Sequence, residues 1–487
     1  MTSTQGNIKR WRAFALLAVS YFMTTVDLTI GNVSLPTIGR DLHFSQTSLQ
    51  WVATAYALTF GGFLLLGGRA ADLLGRRRVL MAGLGVFTAA SLGAGLSAGD
   101  VSLIAARAIQ GLGAAVMLRA ALSIVMNMFG EGAERNEALG IWGGLGAGGG
   151  TFGLVMGGLL TRYAGWQYVF YLNVLIGVVI LALAPRLVPD SRSASARRRF
   201  DVAGAVAGTA GLVLLVDAIS QAPQYGWAAR TIAVLGASVA LLVSFLVIES
   251  RIKDPLLPLR IFKLRTLTGA NVAGLLLGSS FFAFVFAGTL YMQGVMQYSA
   301  LQTGLAWLSA SVTSMALAGL SQWLVTRVGP KVVMTIGMTL IGAGIIWATQ
   351  APVDGRFLAN LAGPFVVAGA GTAFSFIPIS VAALTGVSEH QAGLASGLLN
   401  TSTQLGGAIG IAIASSVAAT QTDTLLRAGH AAPSALTGGF DQAFWVLGVI
   451  GLLALSAIFV LVRQSTTAGA GAKATVREAQ PALAATN

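Results

Sequence analysis

The sequence predicts an all-α polytopic membrane protein with fourteen transmembrane helices. Three observations carry the prediction. Hydrophobic residues make up 55% of the 487-residue chain and charged residues only 10%, against about 25% charged in soluble domains. Charge that sparse cannot cover a water-soluble particle of this size, whereas a bilayer contacts an apolar exterior directly. The chain also divides into apolar segments of spanning length, and its cations fall on alternate connections between them.

A spanning helix needs about 20 predominantly apolar residues. Fourteen segments qualify, near 13–34, 48–68, 79–98, 101–126, 137–161, 166–187, 202–221, 231–249, 267–290, 301–325, 331–349, 357–380, 393–418 and 441–463. The first follows Lys9, Arg10 and Arg12 but is longer than a signal-peptide core, carries Asp27 and lacks a small-residue exit, so it reads as a retained helix. With the N-terminus in the cytoplasm, 23 of the 30 Lys and Arg residues lie on cytoplasmic connections and 5 on outer loops. A missed span would invert that bias. An even number of spans puts both termini in the cytoplasm. The net charge of +13 is therefore a topology signal, and no nucleic-acid partner is expected.

The 62 glycines suit close helix packing in a membrane. The absence of cysteine excludes disulfides and thiolate chemistry, and His43, His390 and His430 are scattered. No catalytic constellation appears; no enzyme activity, metal or cofactor is expected. The longest cytoplasmic connections are 188–201, with Arg197, Arg198 and Arg199, and 250–266; the Ala-, Thr- and Gly-rich tail, 464–487, reads as disordered. A weak repeat aligns residues 73–81 with 328–334, Gly75 on Gly329 and Arg77 on Lys331, at matching topological positions. It points to two related halves.

Ionisable groups inside a span are costly and mark function by default. Asp27, in the first span, lies about 12 Å below its outer end, and Arg107, in the fourth, about 9 Å. If the two helices are neighbours, these charges either pair as a structural tie or share a wet cavity that couples protons or substrate. Arg119 can snorkel to the inner interface, and Asp217 reads as interfacial. The stretch Gly68-Arg-Ala-Ala-Asp72-Leu-Leu-Gly75-Arg76-Arg77-Arg78 joins two antiparallel helices, and Asp72 there can accept from cations or helix N-termini across an interface. The fifth span concentrates ten glycines, including Gly149, Gly153, Gly157 and Gly158.

These residues resemble the major facilitator superfamily, specifically its fourteen-helix drug–proton antiporter branch, from about residue 11 to 463. Gly68, Asp72, Gly75, Arg76 and Arg77 match the G-x-x-x-D-x-x-G-R-R loop between helices 2 and 3 of that family. Arg107, Gln110, Gly111 and Gly113 resemble its helix-4 motif, Asp27 to Pro36 its helix-1 motif, and Gly393, Gly397, Asn400, Gln404, Gly406, Gly407 and Gly410 its helix-13 pattern. In helix 5 the glycines at 149, 153, 157 and 158 fit the antiporter motif, but Leu154 stands where that motif has Pro, and Arg119 stands where relatives carry an apolar residue or Pro.

The resemblance implies a major-facilitator fold: a six-helix bundle over 1–190, two extra helices over 191–266, a second bundle over 267–465 and a tail over 466–487. It implies a proton-coupled antiporter in the bacterial inner membrane, exporting small lipophilic drugs or antibiotics by alternating access. The exporter of a single metabolite and a transport-fold sensor are the alternatives. Asp27 and Arg107 are the expected proton-coupling residues. Asn32, Trp51, Tyr56, Gln110, Asn271, Tyr291, Gln293, Asn400 and Gln404 are candidates for the substrate cavity. Protons, lipid and a small substrate are the expected partners, with the chain a monomer and the proton gradient, not a cofactor, as energy source.

Overall fold

The computed structural model describes residues 3–130, 132–190, 201–225, 228–252, 255–353 and 355–462. The expectations for Arg197–Arg199 and for the tail from 464 lie outside these residues. Among the described residues, fourteen helices are long and apolar enough to cross a membrane. Each closes its backbone hydrogen bonds within itself, which a lipid environment demands.

The N-terminal bundle holds α1 (Ser3–Asp41), the short α2 (Gln46–Leu49), α3 (Trp51–Leu74), α4 (Arg76–Gly95), α5 (Asp100–Met128), α6 (Ala133–Tyr163) and α7 (Gln167–Leu187). The extra pair is α8 (Val202–Tyr225) and α9 (Ala229–Arg251). The C-terminal bundle holds α10 (Arg265–Gly294), α11 (Ala300–Ala306), α12 (Leu308–Val328), α13 (Pro330–Ala348), α14 (Ala362–Leu384), α15 (Glu389–Arg427) and α16 (Ala432–Leu461).

The internal repeat has a structural counterpart. Gly75 (φ 97°) and Gly329 (φ 84°) turn the chain between α3 and α4 and between α12 and α13, in a region that L side chains avoid. Just beyond each, a cation reaches the end of its bundle's last helix. Arg77 donates to the Pro185 and Val188 carbonyls at 3.2 and 3.3 Å, and Lys331 Nζ to the Phe459 carbonyl at 3.0 Å. Both close off carbonyls that a helix C-terminus leaves without partners.

The extra pair lies on one seam between the bundles. Val216 of α8 packs with Leu58 of α3 and with Ala408 and Ala412 of α15, and Ser416 of α15 donates to the Ile219 carbonyl at 2.7 Å. Helix α9 turns Ile232, Val239 and Val243 outward, each more than half exposed, as a lipid-facing stripe.

Several elements differ from the sequence expectation: α15 runs past the predicted 418 to Arg427, and the predicted segment 301–325 breaks at Trp307 into α11 and α12. Helix α1 continues through Pro36 to Asp41. Helix α16 begins nine residues before the predicted segment, at Ala432, because Pro433 fits a first helical turn and the weakly apolar stretch behind it still buries Ala435, Thr437 and Gly439. Asp441 thereby becomes an intrahelical acid.

Candidate functional site

Asp27 sits at the middle of the N-terminal bundle with a side chain 0% exposed, and Arg107 beside it is 5% exposed. A charge so placed requires a full set of partners, and four helices supply them. Arg107 Nη1 of α5 donates to Asp27 Oδ2 at 2.7 Å. Gln110 Nε2 and Asn173 Nδ2, from α5 and α7, donate to Oδ1 at 2.9 and 2.6 Å. The guanidinium is itself held from α3: Nε donates to the Val52 carbonyl at 2.9 Å, and its carbon lies 4.3 Å from the centre of the Tyr56 ring. Gln110 closes the network, accepting from Arg107 at 2.6 Å and donating to Ser91 of α4 at 2.8 Å.

This arrangement suits an ionised Asp27. Every group at its oxygens is a donor, and a protonated carboxyl would present an O–H with no acceptor. Taking up a proton therefore displaces at least one donor. Gln110 and Asn173 are the partners able to exchange roles, since an amide turned over offers oxygen in place of nitrogen; for Gln110, doing so changes its bonds to Arg107 and Ser91 as well. Protonation and side-chain geometry are thus coupled by hydrogen-bond valence.

A cavity of about 790 Å³ lies between the bundles, within the range of drug-sized sites, and its wall is largely apolar. Arg107 is on its surface and Asp27 is directly behind Arg107. Asn32, Asn400 and Gln404 also line it, among Phe60, Phe281, Phe282, Phe376 and Trp307. Gln404 Nε2 is buried behind this wall and meets no protein acceptor.

The other residues proposed for the cavity serve elsewhere. Trp51 packs against the α8–α15 cluster. Tyr56 and Gln110 belong to the Asp27 network. Asn271 is tied up by the Leu267 carbonyl and the Ser402 hydroxyl, at 2.8 and 3.0 Å. Tyr291 is buried, with its hydroxyl on the Ala351 and Pro352 carbonyls. Gln293 donates across the bundles to the Val33 carbonyl at 2.8 Å. None of these side chains lines the central cavity.

Helix α6 connects the site to the bundle interface. Gly149, Gly153 and Gly157 recur every four residues on the face toward α1. A Cβ at Gly153 would lie 2.7 Å from the Val26 carbonyl, one residue before Asp27 in sequence. Gly158 faces the other way: a Cβ there would lie 2.6 Å from the Ala300 carbonyl of α11. The carbonyl of Leu154 rests against Gly304. With Gln293 on Val33, these contacts close the bundles together at the predicted outer face. Away from that seal the cavity runs along α6 to Gly143 and along α12 to Gln322, which is about 9 Å from the predicted cytoplasmic end of α12.

In the helix 2–3 motif, Gly68 lies beside Arg119 and Gly75 makes the turn. Asp72, half exposed, pairs with Arg76 of its own bundle at 3.4 Å instead of reaching across the interface. Arg77 pairs with Asp190 at 3.6 Å. The cross-bundle contact here comes from Arg119, whose Nη1 donates to the Gly393 carbonyl of α15 at 3.4 Å and whose guanidinium lies against Gly397. Asp217 accepts from Gln221 at 2.6 Å.

Two members of the Asp27 network, Asn173 and Ser91, were not among the residues expected from sequence. A lone amide in the apolar run of α7 was the available signal for Asn173. Asp441, with Oδ1 buried and unpartnered, is a further acid off the cavity wall.

Comparison with known proteins agrees with this architecture. The family model described as Major Facilitator Superfamily matches residues 17–411. The chain is 36% identical over 485 residues to the cephamycin export protein CmcT of Amycolatopsis lactamdurans, covering 96% of this chain and 98% of that one. It is 34% identical to a puromycin resistance protein of Streptomyces alboniger, covering 97% and 95%. It is 31% identical to a tetracenomycin C resistance and export protein of Streptomyces glaucescens, covering 83% and 75%. Among solved structures, an auto-inhibited POT family peptide transporter superimposes with a TM-score of 0.66 at 14% identity, covering 93% of this chain and 97% of that one. A bacterial homologue of the human lysosomal transporter Spinster, inward-facing and unoccupied, gives 0.65 at 15%, with the same coverage. These structures share the fold.

Proposed function

We infer that this chain, which belongs to the major facilitator superfamily, exports small lipophilic compounds, antibiotics among them, in exchange for protons. The observation that carries the reading is the position of Arg107. It forms part of the cavity wall on one side and holds Asp27 on the other. A guest against Arg107 and a proton on Asp27 compete for the same guanidinium geometry, which is the linkage that antiport requires. The apolar wall favours a lipophilic guest. Gln404, Asn400 and Asn32 supply the polar contacts that orient it.

In this reading α6 transmits the change. Its glycine face rides on α1 beside Asp27, and its far end meets α11 at the outer seal, so a shift at the site reaches the seal through one rigid helix. The structure has the geometry of a carrier closed toward the outside. The chain would lie in the bacterial inner membrane with both termini in the cytoplasm, as the cation bias directs. Inward proton flow then supplies about 2.3 kcal/mol per charge per 100 mV in addition to the pH term. The relatives named for cephamycin, puromycin and tetracenomycin C each carry the name of one antibiotic.

The test is expression in a drug-sensitive bacterium challenged with a panel of lipophilic antibiotics, with and without a protonophore. Raised resistance that the protonophore abolishes is expected. Resistance that persists without a proton gradient would remove the coupling; no resistance, with substrate-independent proton flux in proteoliposomes, would remove export.

A further inference from the structure

A second set of ionisable groups lies far from Asp27, at the predicted cytoplasmic end of the extra helix pair. Asp201 stands at the start of α8 and Glu249 near the end of α9, and they are only 1% and 2% exposed. Each carboxyl has one oxygen satisfied by backbone. Gly204 N–H donates to Asp201 Oδ1 at 2.8 Å, capping α8. Leu257 N–H donates to Glu249 Oε2 at 3.0 Å, folding the α9–α10 connection back onto α9. The remaining oxygens, Asp201 Oδ2 and Glu249 Oε1, are buried and meet no donor. Yet the two carboxyls are within hydrogen-bonding reach of one another.

Two carboxylates are acceptors only. Buried side by side without a donor between them they would combine like-charge repulsion with loss of solvation. One proton removes both problems, since it turns one of the two facing oxygens into a donor. Among the described residues, the charges acting on Glu249 are Asp201 and Arg69 of α3. Arg69 donates to the Pro255 carbonyl at 2.7 Å and so clasps the same connection. Among the described residues, the cations nearby in sequence, Arg251, Arg260, Lys263 and Arg265, are exposed; Arg197, Arg198, Arg199 and Lys253 lie outside the described residues. With one proton, the pair carries a single negative charge opposite the single positive charge of Arg69.

We propose that Asp201 and Glu249 form a second proton-binding site, which holds one proton between them and latches α8, α9 and their following connection onto the helix 2–3 motif of α3. Asp201 brings the start of α8, Glu249 the end of α9, Leu257 and Pro255 the connection, and Arg69 lies three residues before Asp72. Helix α8 in turn packs on both α3 and α15, across the seam where the bundles move relative to each other. Losing the proton at high cytoplasmic pH leaves two buried carboxylates on one arginine, so the pair separates and the latch opens. The site reports cytoplasmic pH to the seam and is independent of which substrate fills the cavity.

The test uses the full-length protein in lipid nanodiscs without substrate. Infrared spectra at neutral pH should show a protonated-carboxyl band that loses one carboxyl's intensity in Glu249→Gln and in Asp201→Asn but not in Asp27→Asn. Titration toward alkaline pH should remove the same band from the wild type. Melting temperature provides the second readout: it should fall with rising pH in the wild type and lose that dependence in Glu249→Gln, which keeps a permanent donor at the pair. A band unaltered by both substitutions, or identical pH dependence of melting in wild type and Glu249→Gln, would overturn the proposal. Failure of drug export in the cellular assay would leave these spectra unchanged, so the two readings fail separately.

Discussion

The two bundles share a helix arrangement but differ in what fills their centres. In the N-terminal bundle, Asp27, Arg107, Gln110, Asn173 and Ser91 form one polar network joining α1, α4, α5 and α7. In the C-terminal bundle, the corresponding interior is aromatic. Phe284 of α10 meets Trp307, Phe365 and Phe444 at 5.4–5.5 Å between ring centres, and Trp307 stacks on Phe365 at 4.2 Å. The indole N–H is satisfied by Thr289 at 3.0 Å, so the cluster leaves no polar debt. The periphery does the opposite and stays alike, with Gly75 and Arg77 repeated as Gly329 and Lys331. A repeated frame can thus hold two different interiors. The polar one holds the buried charge pair of Asp27 and Arg107; the aromatic one is built by ring packing, with Tyr291 at its edge against Phe440 and Phe444.

Three substitutions break or sharpen that contrast. The largest effect is expected from Asp27→Asn, which keeps the shape but removes the carboxylate that Arg107 holds. Proton-driven efflux should fall by about 100-fold or more while the protein still folds, as read by transport in proteoliposomes under an imposed pH gradient. Undiminished proton-driven efflux would reduce the network to a structural tie. Trp307→Ala addresses the other bundle. It should cost about 3–5 kcal/mol of stability, seen as a lower melting temperature, while the surviving folded molecules remain proton-coupled. Uncoupled transport in that variant would show the aromatic bundle to be part of the coupling after all. The smallest effect belongs to the shared frame. Lys331→Ala removes an exposed cation from a helix terminus and should cost about 0.3–1 kcal/mol, with transport retained. A change in Lys331→Ala comparable to that of Trp307→Ala would mean that the repeated contacts, not the interiors, govern the bundle.

Much of this was legible in the chain itself. Asp27 and Arg107 stand out because a charge in an apolar run has few explanations, and their similar depth made pairing a natural expectation. The glycines of α6 were visible as a group, but not that 149, 153 and 157 face α1 while 158 faces α11. Asn173 escaped because an isolated amide in a span is ordinary until a carboxylate is found opposite it. Asp201 and Glu249 escaped for a different reason. Both lie where spans meet loops, and there an acidic residue reads as a solvated end. Asp441 was hidden by a helix that starts earlier than its hydropathy suggests. The cavity candidates were mixed: Asn32, Asn400 and Gln404 line the space, whereas Trp51, Asn271, Tyr291 and Gln293 have side chains committed to contacts elsewhere.

Sequence alone determined the class of protein, the fourteen spans and their predicted sidedness. Those follow from local rules, because a bilayer requires each segment to bury its own backbone and sorts cations by the loop they occupy. Tertiary structure decided which polar groups meet. Whether a side chain enters the cavity or joins Asp27 depends on how each helix is rotated and what packs beside it. Hydropathy is insensitive to both.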